Sequence, residues 1–223
     1  MRLADVIGPV MIGPSSSHTA GAARLGGLAK RIWGRPVTEV TLFLRGSFAA
    51  TSRGHGTDLA LLGGLTGMAP DDPRIPDAFS EARKAGISWE FNQENVEGAH
   101  PNSVRFVFSD GSGTGMEISG SSIGGGAVVL TEIDGFSLRL SGDLAALVTF
   151  HEDRPGVVAA VTGSLSRAGR NIASLNLHRQ GRGGRAAMVI ELDENYLEGL
   201  EEMALATHPA INRVLAIPGG EDN

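Results

Sequence analysis

The chain has 223 residues, with 19 Lys and Arg against 25 Asp and Glu, a formal net charge of −6 and no cysteine. With 41% hydrophobic and 20% charged residues it has a globular composition, neither disordered nor fibrous. The acidic balance argues against a nucleic-acid partner, and the lack of cysteine excludes a disulfide framework, a cysteine zinc site, a thiol nucleophile and an iron–sulfur cluster held by this chain alone.

The opening segment MRLADVIGPV has no apolar core of a signal peptide, and no run approaches the ~18 apolar residues of a membrane span. The expected setting is therefore cytoplasmic, with no membrane partner. Pro14 and the serines 15–17 then offer N-caps, and Leu25, Leu28 and Ile32 recur at helical spacing, which predicts a helix over 17–33 ended by Gly34. A β-branched strand follows over 37–44, then the turns Gly46-Ser47 and Arg53 to Asp58. The run from Leu59 reads as a helix capped by Thr57 or Asp58, and DAFSEARKAG as a surface helix stopped by Gly86. Strand-like segments at 87–92, 103–109, 114–119 and 127–133 alternate with Gly-, Asp- and Asn-rich turns. An α+β domain over 1–142 fits this order.

From 143 the pattern restarts. A strand around Leu147 to Phe150 leads into Asp153-Arg154-Pro155-Gly156, with Pro155 expected in the first helical turn. Val157, Val158, Val161, Leu165 and Ala168 follow helical spacing to a stop at Gly169. Strands at 171–179 and 186–192, a helix at 195–206 and a strand at 211–217 complete βαββαβ, the ferredoxin-like topology, over 143–223.

The first three of the six histidines stand in polar turns: Ser17-His18-Thr19, Gly54-His55-Gly56-Thr57-Asp58 and His100-Pro101-Asn102. A packing histidine would usually lie on an apolar face, whereas imidazoles on loops held by rigid elements suit proton transfer. Free N–H groups at the helix starts near His18 and Asp58 suit a carboxylate. Other chemistry finds no support: there is no third glycine after Gly113-Thr114-Gly115 for a dinucleotide fingerprint, no phosphate-binding GxxxxGK[ST], no zinc-like spacing of His and carboxylates, and no GxSxG elbow. No metal ligand is therefore assigned.

The motifs IGPSSSHTAGAARLG, GHGTD, HPN, SIGGG and GFSLRLSG, in order along the chain, resemble the β chain of bacterial iron–sulfur-dependent L-serine dehydratase of the two-subunit type. The last third, with HEDRPGVVAAV and Gly169-Arg170-Asn171-Ile172, is similar to an ACT domain, a ferredoxin-like amino-acid-binding module. The resemblance implies a lyase of amino-acid catabolism that turns L-serine into pyruvate and ammonia, active with an α chain whose cysteines hold a [4Fe-4S] cluster. It implies an N-terminal domain like the allosteric-substrate-binding domain of some phosphoglycerate dehydrogenases. Carried onto this sequence, it makes His18, His55 and His100 the catalytic candidates, without choosing the base among them. Ser16, Ser17, Thr19, Thr57, Asp58, Asn102, Ser122, Gly124, Gly125 and Gly126 become substrate-binding candidates, and Pro155, Gly156, Asn171 and Ile172 candidates for an effector pocket. The ACT-like module also implies homodimerisation. The alternative is a non-catalytic serine sensor, which needs no proton-transfer groups.

Overall fold

The computed structural model describes residues 10–220, so the leader reading made on the first residues falls largely outside them. Two compact units meet in sequence between Asp134 and Gly135. This places the segment before Gly142 with the second unit. No helix among the described residues is long and apolar enough to cross a membrane.

In the first unit the expected N-terminal helix begins as a π-helical turn, Ser16–Ala20, and continues as α1, Gly21–Trp33. Ser15 is its cap: the backbone is extended there and the hydroxyl accepts the His18 N–H. Gly34, at φ 69°, closes the helix. Strand β1, Glu39–Arg45, buries Val40, Leu42 and Leu44 on one face. The chain then forms a helix where turns were expected, α2, Gly46–His55, and after the left-handed Gly56 a second one, α3, Thr57–Thr66. Gly56 takes the cap position of α3, while the Asp58 carboxylate accepts the Leu59 N–H in its first turn at 2.9 Å.

Glycine lets α1 and α3 cross at backbone distance. A Cβ on Gly26 would stand 2.2 Å from the Leu61 carbonyl oxygen, and one on Gly64 would stand 2.0 Å from that of Ala23. The surface helix appears as α4, Ala78–Lys84, with Gly86 at φ 75° just beyond it. Strands β2 (Ser88–Gln93), β3 (Asn102–Ser109), β4 (Gly115–Gly124) and β5 (Ala127–Ile133) follow. Within this unit the strand order is β2-β1-β3-β4-β5, with β2 parallel to β1 and the other neighbours antiparallel. The expected strand 114–119 therefore runs on through Ser121 and Ser122 to the glycine turn. Helix α1 packs on β4 and β5, and Gly120 gives its lack of a side chain to Leu25. On the opposite face Glu94 bridges Arg45 and Arg105 at 2.8 and 3.0 Å. Burial pushes the Glu94 carboxyl up, but the Arg105 and Arg45 guanidiniums outweigh it and hold it below its usual value.

The second unit opens with β6, Phe136–Leu140, a strand not foreseen. Strand β7 (Ala145–Glu152), helix α5 (Val157–Arg167), strands β8 (Ile172–Arg179) and β9 (Arg185–Leu192), helix α6 (Leu200–Leu205) and strand β10 (Ile211–Ile217) then give βαββαβ. The antiparallel order β10-β7-β9-β8 is ferredoxin-like. Leu147, Met188, Ile190 and Leu192 of the sheet pack against Val157, Val161, Leu165, Leu200 and Ala204 of the two helices. Two local expectations change. Gly156, at φ 94°, is the cap of α5, so Pro155 precedes the helix; the last helix starts only after the left-handed Gly199 and is one turn shorter at its front.

Candidate active site

Helix α2 organises the first unit's histidine motifs. At its start, Gly46 at φ 53° sits on the His100-Pro101-Asn102 loop, where a Cβ would stand 2.7 Å from Pro101 Cα and forms a β-bridge with Asn102. The Phe48 N–H donates to the Pro101 carbonyl at 3.2 Å. In the same loop the Asn102 N–H donates to His100 Nδ1 at 3.1 Å, and Ser103 Oγ donates to the His100 carbonyl at 2.7 Å. A neutral His100 therefore carries its proton on Nε2, and the residue is exposed.

The π-helical turn brings His18 to the same helix. His18 Nε2 lies 2.9 Å from Ser47 Oγ, its Nδ1 3.4 Å from Ser15 Oγ, and its ring meets the edge of Phe48 at 5.4 Å. At the other end of α2, the His55 ring lies 5.1 Å from that of His18. Burial, and then the neighbouring His55, push the His18 imidazole below its ordinary pKa, against a smaller upward pull from the Ser47 backbone. His18 thus favours the neutral form. His55 is exposed, and among the described residues no hydrogen bond to its ring is found.

The remaining candidates distribute around this core. Thr19, Thr57 and Ser122 are buried, and their hydroxyl oxygens have no hydrogen-bond partner among the described residues. Ser122 faces the start of α1, where a Cβ on Gly21 would overlap its oxygen at 2.0 Å. Ser16 and Ser17 lie half-buried in the π turn. Gly124, Gly125 and Gly126 all take positive φ, at 101°, 62° and 82°, and the spaces above Gly124 and Gly125 are open. The Gly126 carbonyl accepts from Arg24 Nη1 at 3.2 Å. Asp58 stands apart: it accepts the Leu59 N–H and lines a cleft of about 500 Å³ with Thr51, Ser52, Phe79, Phe91 and Gln93, which no histidine lines.

In the second unit Pro155 joins Glu152, Arg154, His208 and Asn212 around a cleft of about 550 Å³, and Gly156 adjoins His208. Asn171 and Ile172 do not line it. The Asn171 amide is engaged by Asp193 and its N–H by Glu194. Among the described residues no group of three or more His, Asp or Glu could hold a metal ion.

The family model described as "Serine dehydratase beta chain" matches residues 6–86. The chain is 44% identical over 191 residues to the "Probable L-serine dehydratase, beta chain" of Bacillus subtilis, covering 86% of each chain. It is 39% identical to the "L-serine dehydratase, beta chain" of Peptoniphilus asaccharolyticus, covering 90% of this chain and 91% of that one. The chain belongs to the serine dehydratase β chain family. The matched residues 6–86 hold the His18 and His55 motifs and all of α2. Residues 147–206 match an "AHAS small subunit-like ACT domain", in agreement with the ferredoxin-like second unit. A "D-3-phosphoglycerate dehydrogenase" of Synechocystis is 26% identical over 80% of this chain but only 32% of its own length.

Three further residues of the candidate site lie outside the histidine turns. Ser47 belongs to the expected Gly46-Ser47 turn, Phe48 to no expected element, and Arg24 stands between the apolar positions of the first helix. Their signal was indirect: a Gly-Ser pair directly after a strand, where a helix start presents its N–H groups.

Proposed function

We propose that this chain is the β subunit of an L-serine ammonia-lyase, supplying acid–base and binding groups for the conversion of L-serine to pyruvate and ammonia. The observation that carries the reading is the gathering of three histidine motifs around α2, with His18 and His55 in ring contact 5.1 Å apart. A serine sensor needs groups for a carboxylate and an amine, but not paired imidazoles.

The reaction removes the α-proton of serine and its β-hydroxyl; the resulting aminoacrylate tautomerises to an imine, and water hydrolyses that to pyruvate and ammonia. His55 is the group suited to take the α-proton, because its ring is exposed and engaged by no hydrogen bond among the described residues. A neutral His18 beside it serves this role, since a second cation 5.1 Å away would oppose the charge that His55 gains. His100, with an N–H on Nε2, is placed to donate to the departing oxygen. Ser16, Ser17, Thr19 and Asn102 hold the carboxylate. Among the described residues Thr19, Thr57 and Ser122 carry unmade hydrogen bonds, each costing roughly 1–3 kcal/mol when buried, that partner or substrate can complete.

This chain has no cysteine and its described residues form no metal-binding group, so it does not fit an iron–sulfur cluster by itself. We assign a [4Fe-4S] cluster to the cysteines of a partner α chain. The ACT-like unit, with Pro155 and Gly156 at its cleft, serves as the regulatory or dimerising module.

Anaerobic co-expression with the cysteine-bearing partner tests the reading. The complex is expected to make pyruvate from L-serine and to lose that activity in air, while this chain alone makes none. Full activity of the partner alone, with this chain altering only its dependence on serine, would establish the sensor instead.

A further inference from the structure

Ser47 reaches His18 across 29 positions of sequence, yet it makes the shortest hydrogen bond to that ring, 2.9 Å from Nε2. It is held there firmly. Gly46 before it is seated on Pro101 and bridged to Asn102, and the N–H of Phe48 after it is bonded to Pro101. Ser47 thus stands between the loop that carries His100 and the ring of His18.

The other ring nitrogen decides where the proton lies. Ser15 Oγ accepts the His18 backbone N–H at 3.2 Å, and its hydroxyl proton can turn to His18 Nδ1, 3.4 Å away. A neutral imidazole carries one N–H, and an accepting Nδ1 leaves that hydrogen on Nε2. In that tautomer Nε2–H donates to Ser47 Oγ. The Ser47 hydroxyl proton remains to be donated outward.

We propose that Ser47 is a positioning residue of the site, fixing His18 as the Nε2–H tautomer and holding its ring in orientation beside His55. The proposal rests on the reaction assigned above, and it adds a residue outside the histidine motifs. Ser47 acts through His18. Without its oxygen, the Nε2–H loses its acceptor and nothing on that side prevents the proton from moving to Nδ1 or the ring from turning.

Two readouts test this on the Ser47→Ala and Ser47→Thr variants of the full chain. In long-range ¹H–¹⁵N spectra of the chain alone at neutral pH, His18 is expected to show the Nε2–H pattern in the wild type and in S47T, and to lose it in S47A. In the complex with the cysteine-bearing partner, S47A is expected to lower kcat by about tenfold, the scale of one positioned hydrogen bond, with KM for serine changed little and S47T restoring kcat. An Nδ1–H pattern in the wild type, or an S47A variant with unaltered His18 spectrum and kcat, would overturn the proposal. A wild-type complex that makes no pyruvate would count against the reaction, while the His18 spectrum would still decide for or against Ser47.

Discussion

Two imidazoles contribute to the response of this fold to mild acid. Burial pushes both His18 and His151 below their ordinary pKa, in His18 helped by His55 and in His151 opposed by Thr149 and Asp153. As pH falls through about 6.5 the unfolded chain takes up protons at these positions while the folded chain does not. Their contribution to stability is therefore intact above that pH and lost below it. Urea midpoints are expected to fall between pH 7.5 and 5.5, and His151→Gln should flatten that slope; a midpoint that rises on acidification would contradict the assignment. The motif histidines were legible because polar Gly- and Ser-rich turns are poor places for packing imidazoles. Ser47 was not, because a serine acquires chemistry here only when the fold brings His18 to 2.9 Å.

Helix α2 shows where sequence patterns run out. Its sequence GSFAATSRGH has one large apolar residue and two glycines, so local propensity and spacing are weak, and tertiary seating holds it: Phe48 is fully buried and Gly46 rests on Pro101. By contrast α1, α5 and the strands with alternating burial were readable from spacing alone. The short strand β6 also alternates, with Phe136, Leu138 and Leu140 buried, but its five residues between glycines gave too little pattern to assign. The crossing of α1 over α3 offers a matched test of glycine use. Gly64→Ala places a methyl 2.0 Å from the Ala23 carbonyl oxygen and should cost about 2–3 kcal/mol by chemical denaturation. Gly27→Ala meets nothing nearer than 3.9 Å and should be neutral or stabilising by up to about 1 kcal/mol. Equal effects of the two changes would remove close backbone packing as the reason for Gly64.

At the scale of the whole molecule, two units carry two kinds of site: histidine turns gathered on α2 in the first, and a cleft at Pro155 in the second. The ferredoxin-like order of the second was legible because its periodicities switch cleanly between strand and helix. The juxtaposition of His18 with His55 was not, since it depends on a helix that the sequence does not announce. A chain without cysteine that gathers imidazoles around one helix would, under the proposed function, form one part of a composite active site. The most direct measurement is pyruvate formation from L-serine by the anaerobically assembled complex, wild type against His55→Ala, with cluster absorbance and serine binding monitored alongside. A loss of at least about 100-fold in kcat is expected, the usual contribution of a positioned general base, with cluster and serine binding retained. A His55→Ala complex that keeps the wild-type kcat would contradict that role for His55.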